Sequence, residues 1–326
     1  MNMNHIIDHL APPPPSPFHA ASPLHNLLTQ PTSFLARLLY TLLQALRPLP
    51  SPSSPAIRVV CISDTHTNTR SIPDGDLLVH AGDLCNVGNP AELNAQIAWL
   101  SSLPHRHKVV IAGNHDAFLD PRSRRTLSKQ DQYGSVDWQG IQYLQHSSTT
   151  LSFPGRTLKI YGAPQVPELG GPQHAFQYAR GQDAWTETVP SNTDILVTHT
   201  PPKWHRDLQA GLGCEWLLKE LGRVRPRLHV CAHIHDDHGM DVLWWNGAQR
   251  AFERIRERGG WENSYSFFDP RNWLDMCLMV ASTLKALVWR AVWGGKEKDR
   301  GTICVNAALI KNSTGKLDNE PIVVNI

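Results

Sequence analysis

Eight short runs of apolar, mostly β-branched residues begin at Ile57 and are separated by polar and helix-sized segments. In chain order they read IRVVCIS, DLLVHAG, HKVVIAG, LKIYGAP, DILVTH, RLHVCAH, TICVNAA and PIVVNI. Continuous apolar strands are typical of sheets that are covered on both faces, and segments such as Pro90 to Leu103 and Glu215 to Leu221 can supply the covering helices. The sequence therefore predicts an α/β fold.

Residues 57–326 form the predicted domain, because a chain of 326 residues that is 41% hydrophobic can bury a large core. Residues 1–56 are rich in proline, which lacks a backbone N–H, so they predict an extended and poorly packed tail. Within this tail the apolar run from Phe34 to Leu46 predicts a short helix. Residues at about 241–299 interrupt the rhythm of strands and predict a helical, apolar insertion.

Two apolar segments, residues 34–46 and 273–293, leave two alternatives open: docking on the domain, or peripheral contact with a membrane or another protein. The first is shorter than the ~20 residues needed to cross a bilayer, and its single basic residue, Arg37, favours docking. In the second, apolar residues cover all but a narrow helical face, so we expect that helix to bury most of its perimeter. Segment 273–293 contains three charged residues, which makes a membrane span unfavourable: Asp275, Lys285 and Arg290.

The composition limits the partners and the compartment. The formal net charge is +2 and the pI is about 8.2, so no long-range positive field indicates nucleic-acid binding. The six cysteines are scattered without a Cys-x-x-Cys pair, which favours reduced thiols. The first residues, MNMNHIIDHLAPPPP, lack the cationic start and the apolar run of a secretory signal. We therefore expect a cytoplasmic chain, with peripheral membrane attachment as the alternative.

Side chains that can bind metal ions follow five of the predicted strands, at the point where each strand ends. They are Asp64 and His66, then Asp83, then Asn114 followed by His115, then His199, and finally His233 and His235. Because ligands bind beyond the carboxyl ends of strands in open α/β sheets, we expect these side chains to converge in one crevice. The alternate spacing of His233 and His235 in an extended segment would direct both to the same face. The insertion follows soon after His235, so we also expect it to border the crevice.

This mixture of carboxylates, an amide and imidazoles fits a pair of divalent metal ions that act on a phosphate ester. Such an ester is a poor electrophile, and two cations ~3.5–4 Å apart shield its charge and supply hydroxide. Asp83 suits the bridging position, because a carboxylate can bind both ions, while neutral ligands leave the metals electrophilic. Each motif alone is weak, since Asp64-Thr65-His66 could be a helix cap and Gly82-Asp83 a turn. Their presence at five separate strand ends is what indicates a functional site.

These motifs resemble the calcineurin-like metallophosphoesterase superfamily, whose pattern is Asp-x-His, Gly-Asp, Gly-Asn-His-Asp/Glu, His and Gly-His-x-His. Here they stand as Asp64-Thr65-His66, Gly82-Asp83, Gly113-Asn114-His115-Asp116, His199 and Ala232-His233-Ile234-His235. The one departure is Ala232 in place of a glycine. The segments LVTHTPPKWHRD, GCEWLLKELGRVRPRLHV and GTICVNAAL most resemble the metallophosphoesterase-domain-containing proteins of the cyclic-nucleotide phosphodiesterase-like branch. The resemblance covers roughly residues 57–240 and 301–326.

The resemblance implies a fold, a set of ligands and a role for one histidine. The fold is a four-layer α/β sandwich of two mixed β-sheets flanked by helices, the metallo-dependent phosphatase fold. The implied ligands of one ion are Asp64, His66, Asp83 and His235, and those of the other are Asp83, Asn114, His199 and His233. A metal-bound hydroxide would attack the phosphorus, while His115, which binds no metal, would stabilise the transition state or protonate the leaving oxygen. Mn²⁺ is the first choice of metal, with Fe, Zn²⁺ or Ni²⁺ as alternatives.

The expected substrate follows from one further difference. Ser/Thr protein phosphatases of this superfamily carry an aspartate three residues after Gly-Asp and an adjacent arginine, whereas this chain has Asn86 and lacks that arginine. Without it a doubly charged phosphomonoester loses a bidentate clamp, so we expect a small phosphodiester of nucleotide size or less. Two alternatives stay open: a phosphomonoesterase, and a scaffold protein that binds metal without physiological turnover. A scaffold would tolerate the loss of His115, whereas an enzyme would not.

Overall fold

The computed structural model describes residues 9–259, 264–293, 301–311 and 315–326, so residues 1–8 of the predicted tail and parts of the predicted insertion lie outside the described residues. The β-strands are β1 (Arg58–Ile62), β2 (Leu77–His80), β3 (His107–Val110), β4 (Gln142–Tyr143), β5 (Ser147–Phe153), β6 (Arg156–Ala163), β7 (Val166–Pro167), β8 (Gln177–Tyr178), β9 (Ile195–Thr198), β10 (Leu228–Cys231), β11 (Gly239–Leu243), β12 (Thr302–Asn306) and β13 (Ile322–Asn325). The α-helices are α1 (Pro23–Thr29), α2 (Pro31–Ala45), α3 (Pro90–Ser102), α4 (Lys129–Gln132), α5 (Glu215–Val224), α6 (Gly247–Arg258) and α7 (Pro270–Trp293).

Two mixed sheets form the centre of the protein. The first has the strand order β13-β1-β2-β3-β4, in which β1 to β4 run parallel and β13 lies antiparallel to β1. The second has the order β11-β12-β10-β9-β6-β5, with four parallel central strands and an antiparallel strand at each edge. Because parallel neighbours end at the same edge of a sheet, the loops after β1, β2 and β3 lie side by side, as do those after β9 and β10.

The two sheets pack face to face, and the alternation of side chains along each strand creates the layers. In β1, Val59 and Cys61 point into the core between the sheets, while Val60 and Ile62 point to the opposite face. Helix α3 covers that outer face of the first sheet, and helix α5 covers the outer face of the second. Residues buried between the sheets include Val79, Val109, Ile160, Val197, Val230 and Val305. The predicted four-layer α/β sandwich is confirmed.

All eight predicted strand segments form strands, and α3 and α5 occupy the two segments that the sequence assigns to helices. The edge strands β5 and β11 are not evident from sequence, because SSTTLSF and GMDVL carry polar side chains on the face that solvent reaches. Asp241 lies within β11, so the predicted insertion begins inside the second sheet. All six cysteines are free thiols, and only Cys277 is exposed.

The proline-rich N-terminal segment folds against the domain. Helix α2 packs on α6 and α7, with Ala36 fully buried and the Tyr40 ring stacked on Phe252 at a centroid distance of 4.3 Å. Arg37 donates two hydrogen bonds to the Asp237 carboxylate, at 3.0 and 3.1 Å. The short helix predicted at residues 34–46 is found within α2 (Pro31–Ala45). The expectation of an extended chain is wrong for residues 23–33, because proline at the first positions of α1 and α2 is compatible with a helix.

Helix α7 departs from the sequence expectation in how little of it is buried. Its inward side is formed by Asn272, Asp275, Met276, Met279 and Thr283, which are each at most 8% exposed. Asp275 is ion-paired there with arginines of α6. Large apolar side chains occupy its outward side, so the expectation that α7 buries most of its perimeter is wrong. Among the described helices, none is long and apolar enough to cross a bilayer.

Candidate metal centre

The side chains singled out at the five strand ends meet at one edge of the two sheets. The potential ligand atoms of Asp64, His66 and His235 lie within 4.8 Å of one another. Those of Asp83, His199 and His233 form a second group of the same size, and Asn114 Oδ1 lies 3.1 Å from His199 Nε2. The two groups coincide with the two ligand sets that the family resemblance implies. A cavity of about 680 Å³ opens onto them.

The backbone at these positions is held in conformations that few residues adopt. Asp64, His66, Asp83 and His233 all have positive φ, between 43° and 70°. Such strain costs about 1–3 kcal/mol per residue and persists where the surroundings impose it, commonly at functional sites. Position 113 requires glycine, because the Cβ of any other residue would lie 2.2 Å from Asp83 Oδ1. The loops after β1, β2 and β3 are therefore shaped to bring side chains together rather than to minimise local strain.

The first group is organised by Asp64. Its Oδ1 lies 3.2 Å from His235 Nε2, and its other oxygen accepts the backbone N–H of His233 at 3.4 Å. Burial would raise the pKa of Asp64, but the imidazoles of His235 and His199 together lower it to about 2. Asp64 is thus a buried carboxylate at neutral pH, which a cation stabilises.

The second group is organised by Asp83. Its Oδ2 lies 3.2 Å from His199 Nε2 and 3.7 Å from His66 Nε2, so it faces both groups. His199 donates Nδ1–H to the carbonyl of Ala81 at 2.8 Å, which directs Nε2 into the site. Burial would lower the pKa of His199, but the Asp83 carboxylate raises it to about 9. A position that favours a proton so strongly also favours a metal cation.

Several features fit metal ions to this arrangement. His66 Nε2 is buried and has no hydrogen-bond partner, although an unsatisfied buried nitrogen is costly. Burial, together with the His199 charge, lowers the pKa of His233 to about 3, so its ring is neutral and can act as a ligand. Carboxylate, amide and imidazole donors suit first-row transition metals. The donor set therefore fits metal ions, and Asp83 is the carboxylate that faces both groups.

His115 lies beside these groups rather than within them. Its backbone N–H donates to Asp83 Oδ1 at 2.8 Å, and its Nδ1–H donates to the carbonyl of Asn86 at 2.8 Å. Nε2 is therefore the ring nitrogen left to meet a substrate. The ring contacts those of His66 and His174, with centroids 4.7 and 5.5 Å away, and it lines the cavity. This placement suits a group that acts on the substrate instead of binding metal.

His174 is a residue of the site that sequence reasoning missed. The amide nitrogen of Asn114 donates to His174 Nδ1 at 3.4 Å, and the Asn114 carbonyl accepts the N–H of Ala175 at 2.8 Å. These bonds leave Asn114 Oδ1 directed at His199. His174 follows no strand and lies in the segment GGPQH, so no motif spacing could have identified it.

Asp116 and His80 support the site from behind. The buried Asp116 carboxylate accepts the N–H groups of Gly113, Cys85 and Leu84 at 2.8–3.3 Å, which ties the loops after β2 and β3 together. Burial and the nearby Asp83 raise the pKa of Asp116 to about 7. His80 Nδ1 accepts the N–H of Gly82 at 3.2 Å, so its Nε2–H can donate to the Thr65 hydroxyl at 3.1 Å. Neither residue lines the cavity.

The N-terminal segment, and not the described part of the insertion, borders the cavity. Phe18 and His19 line it, and the Phe18 ring meets the His233 ring edge to face at 5.6 Å. The N–H of Ala20 donates to Asp236 Oδ2 at 2.8 Å, which holds this segment in place. The expectation that the insertion borders the crevice is therefore wrong for its described residues.

The backbone at His233 and His235 differs from the extended segment that the sequence predicts. His233 has φ of 70° and His235 begins a 3-10 helix, so they do not share one face of an extended segment. They reach the same cavity because the chain turns sharply there, and they belong to different groups. The hydrogen bonds of Asp64 to both residues provide the physical reason for this turn.

The chain is similar in sequence to several known proteins. The chain is 39% identical over 273 residues to a protein of Emericella nidulans named probable rhamnogalacturonate lyase C, an alignment that covers 83% of this chain but 24% of that protein. It is also 39% identical over 225 residues to human metallophosphoesterase domain-containing protein 1, which covers 60% of this chain and 67% of the relative. The chain thus spans about a quarter of the fungal relative and two thirds of the human one.

Among solved structures, the protein TT1561 of Thermus thermophilus is similar at a TM-score of 0.39 and 15% identity, over 58% of this chain and 85% of that one. The family comparison is more direct. Residues 57–237, more than half of the chain and the part that contains every predicted ligand, match the calcineurin-like phosphoesterases. The chain belongs to the calcineurin-like phosphoesterase family, whose members hydrolyse phosphate esters with the help of metal ions.

Proposed function

We propose that this chain hydrolyses small phosphodiesters at a dinuclear metal centre held by the seven predicted ligands. The observation that carries the proposal is the cavity itself. Two groups of ligand-type side chains face it, and its described lining contains neither lysine nor arginine. The ligands are Asp64, His66, Asp83, Asn114, His199, His233 and His235.

The absence of lysine and arginine from the described lining favours a diester. A phosphomonoester carries two negative charges near neutral pH, and phosphatases usually clamp them with arginine. Here the neutral Asn86 side chain donates to the carbonyl of His66 and to the Thr67 hydroxyl, at 3.2 and 3.0 Å. A diester has a single negative charge, which two metal cations can balance without further help.

Each side chain then has a definite task. The two metal ions, when bound, screen the phosphate charge and supply the attacking hydroxide. Asp83 would hold both ions, and the hydrogen bond from His199 to the carbonyl of Ala81 fixes the direction in which His199 would bind one of them. His115, oriented by Asn86, presents Nε2 to the leaving oxygen, where it protonates that oxygen or stabilises its charge. We further propose Mn²⁺ as the metal and a cytoplasmic location, in keeping with the free cysteines.

The first test is a comparison of bis(p-nitrophenyl) phosphate with p-nitrophenyl phosphate, on protein stripped of metal and refilled with Mn²⁺. We expect turnover only after refilling, and a kcat/KM for the diester at least about tenfold above that for the monoester, a difference of ~1.4 kcal/mol. Preference for the monoester would instead identify a phosphomonoesterase. Two bound ions with no turnover of either compound would favour the scaffold alternative.

Phe18 should affect substrate binding more than the chemical step. An aromatic contact is worth about 1 kcal/mol, so Phe18→Ala is expected to raise KM for an aromatic diester about fivefold with little change in kcat. Phe268→Ala is the matched control, because Phe268 is 79% exposed and does not line the cavity. Equal KM values for both variants and the unmodified chain would show that Phe18 does not contact substrate.

A further inference from the structure

Helix α7 has its polarity reversed relative to an ordinary surface helix. Polar residues such as Asn272, Asp275 and Thr283 face the domain, while the outward side carries large apolar side chains. A helix in contact with water normally presents its polar face outward. The outward apolar residues of α7 are Trp273, Leu274, Leu278, Leu284, Val288, Trp289 and Val292, which are 41–64% exposed.

This outward face belongs to a larger apolar surface. Among the described residues, nineteen large apolar side chains are exposed; eight lie within residues 10–49 and nine within residues 267–292. The other two are Val87 and Tyr133. Exposed large apolar side chains are therefore concentrated in these two segments, and the rest of the described chain carries only two of them. Such concentration marks an interaction surface. We call the exposed sides of α1, α2 and residues 267–292 the helical apolar surface.

The charges of this surface have one predominant sign. Residues 9–63 contain no aspartate or glutamate. Within residues 267–292 the two acids are Asp269 and Asp275, and both are ion-paired with arginine. Lys285 is exposed on α7. A partner for this surface must accept apolar side chains and positive charge together.

A basic cavity lies where α2 and α7 end. It has a volume of about 810 Å³ and is lined by Leu49, just beyond α2, and by Arg290, in the last turn of α7. Arg225 and Arg227 line it as well, and Arg47 stacks on another lining residue, Trp244, at 3.6 Å from the ring centroid. The single acidic side chain in its described lining is Asp194, whose Oδ2 accepts the backbone N–H of Lys159. The exposed side chain of Leu49 thus lines a cavity rich in arginine, and Val288 and Val292 flank the lining residue Arg290 along α7.

From these features we propose that the helical apolar surface docks on an anionic lipid bilayer, with the cavity at the ends of α2 and α7 receiving lipid phosphate. Leucine, valine and tryptophan insert at the headgroup boundary, and arginines bind the phosphate oxygens. A second copy of the chain fits less well, because a symmetric contact pairs this surface with itself and so brings together two surfaces of the same predominant charge. The docking requires no chemistry at the metal centre, so it is independent of the proposed reaction.

Vesicle flotation of the full metal-loaded chain tests this proposal. We compare vesicles of phosphatidylcholine alone with vesicles that also contain about 30% phosphatidylserine. The chain is expected to float with the anionic vesicles, and to do so less at high salt, because salt screens charge. Val288→Glu combined with Val292→Glu should reduce partition about tenfold or more, because two inserted side chains are lost and negative charge is added. Arg225→Asn should reduce it about fivefold and keeps a residue that tolerates the positive φ of 51° found there.

Tyr133→Glu is the matched control, because Tyr133 is 88% exposed but lies outside the helical apolar surface. It should float like the unmodified chain. Circular dichroism and turnover of a soluble diester check that each variant is folded. Failure of the unmodified chain to float with anionic vesicles would overturn the proposal, as would equal flotation of the double variant. A dimer in light scattering that the double variant abolishes, without lipid binding, would assign the surface to a second copy.

Discussion

The variant Asp83→Asn is expected to bind neither metal ion and to hydrolyse the diester at least about a thousandfold more slowly. Removing the carboxylate that is proposed to bind both ions costs several kcal/mol of charge stabilisation in the transition state. Asp83 is the acid whose Oδ2 faces His199 at 3.2 Å and His66 at 3.7 Å, one from each group. Asparagine keeps the shape and can still accept the N–H of His115, which Asp83 Oδ1 accepts at 2.8 Å. It removes the charge that makes the carboxylate a bridge. The measurements are metal content by mass spectrometry and kcat with a chromogenic diester.

Asp64→Asn is the informative comparison for this variant. Asp64 lies in one group only, against His235 at 3.2 Å, so its loss should release one ion and leave the other. Metal content would then fall from two ions to about one in this variant and close to none in Asp83→Asn. Equal metal content in the two variants would contradict a bridging role for Asp83. Matched unfolding temperatures would show that metal, and not the fold, accounts for the difference.

The convergence of the candidate ligands could be predicted from sequence where these residues directly follow buried strands. Asp64, Asp83 and Asn114 come within four residues of the ends of β1, β2 and β3, and parallel strands bring their ends to one edge. A residue's position just after a strand therefore predicts, by itself, which edge of the sheet that residue occupies. The same holds for the fold, because continuous apolar strands imply a sheet that is covered on both faces.

Residues that reach the site from distant segments could not be read in this way. Phe18 and His174 meet the centre through contacts across the fold, with His233 and Asn114 respectively. Neither sits at a spacing that indicates a strand end or a metal ligand. Asp116 belongs to a motif that the sequence shows. Its structural role, accepting three backbone N–H groups, could not be predicted, because it depends on how the loops after β2 and β3 pack.

The sequence also fails to predict which face of α7 packs on the domain, and for a different reason. Its composition indicates burial, yet the ion pairs of Asp275 with Arg254 and Arg258 turn the polar side inward. A buried acid needs such partners, so the arginines of α6 decide which face of α7 meets the domain. The apolar residues are then left outward, where the described part of the chain leaves them exposed. Periodicity alone cannot distinguish these two orientations, because it shows that two faces exist without saying which one packs.

His115→Ala should lower kcat for the diester by about 10²–10⁴-fold, the usual contribution of a general acid, while both metal ions stay bound. The side chain of His115 belongs to neither group of ligands, and Asn86 holds its ring by the 2.8 Å bond to Nδ1. The loss should depend on the leaving group. A p-nitrophenolate leaves without protonation, so its diester should suffer least, whereas an alkyl diester needs the proton and should suffer most.

Two further variants separate the possible roles of this residue. His174→Ala is the matched control, because its imidazole lies beside that of His115 and accepts a hydrogen bond from Asn114. This variant should change metal affinity without a dependence on the leaving group. His115→Gln keeps a hydrogen-bond donor but cannot transfer a proton. If His115 acts as an acid, glutamine should not rescue the alkyl diester; if it stabilises charge, partial rescue is expected for both substrates. Loss of metal in His115→Ala would contradict both roles, because the residue would then belong to the metal centre itself.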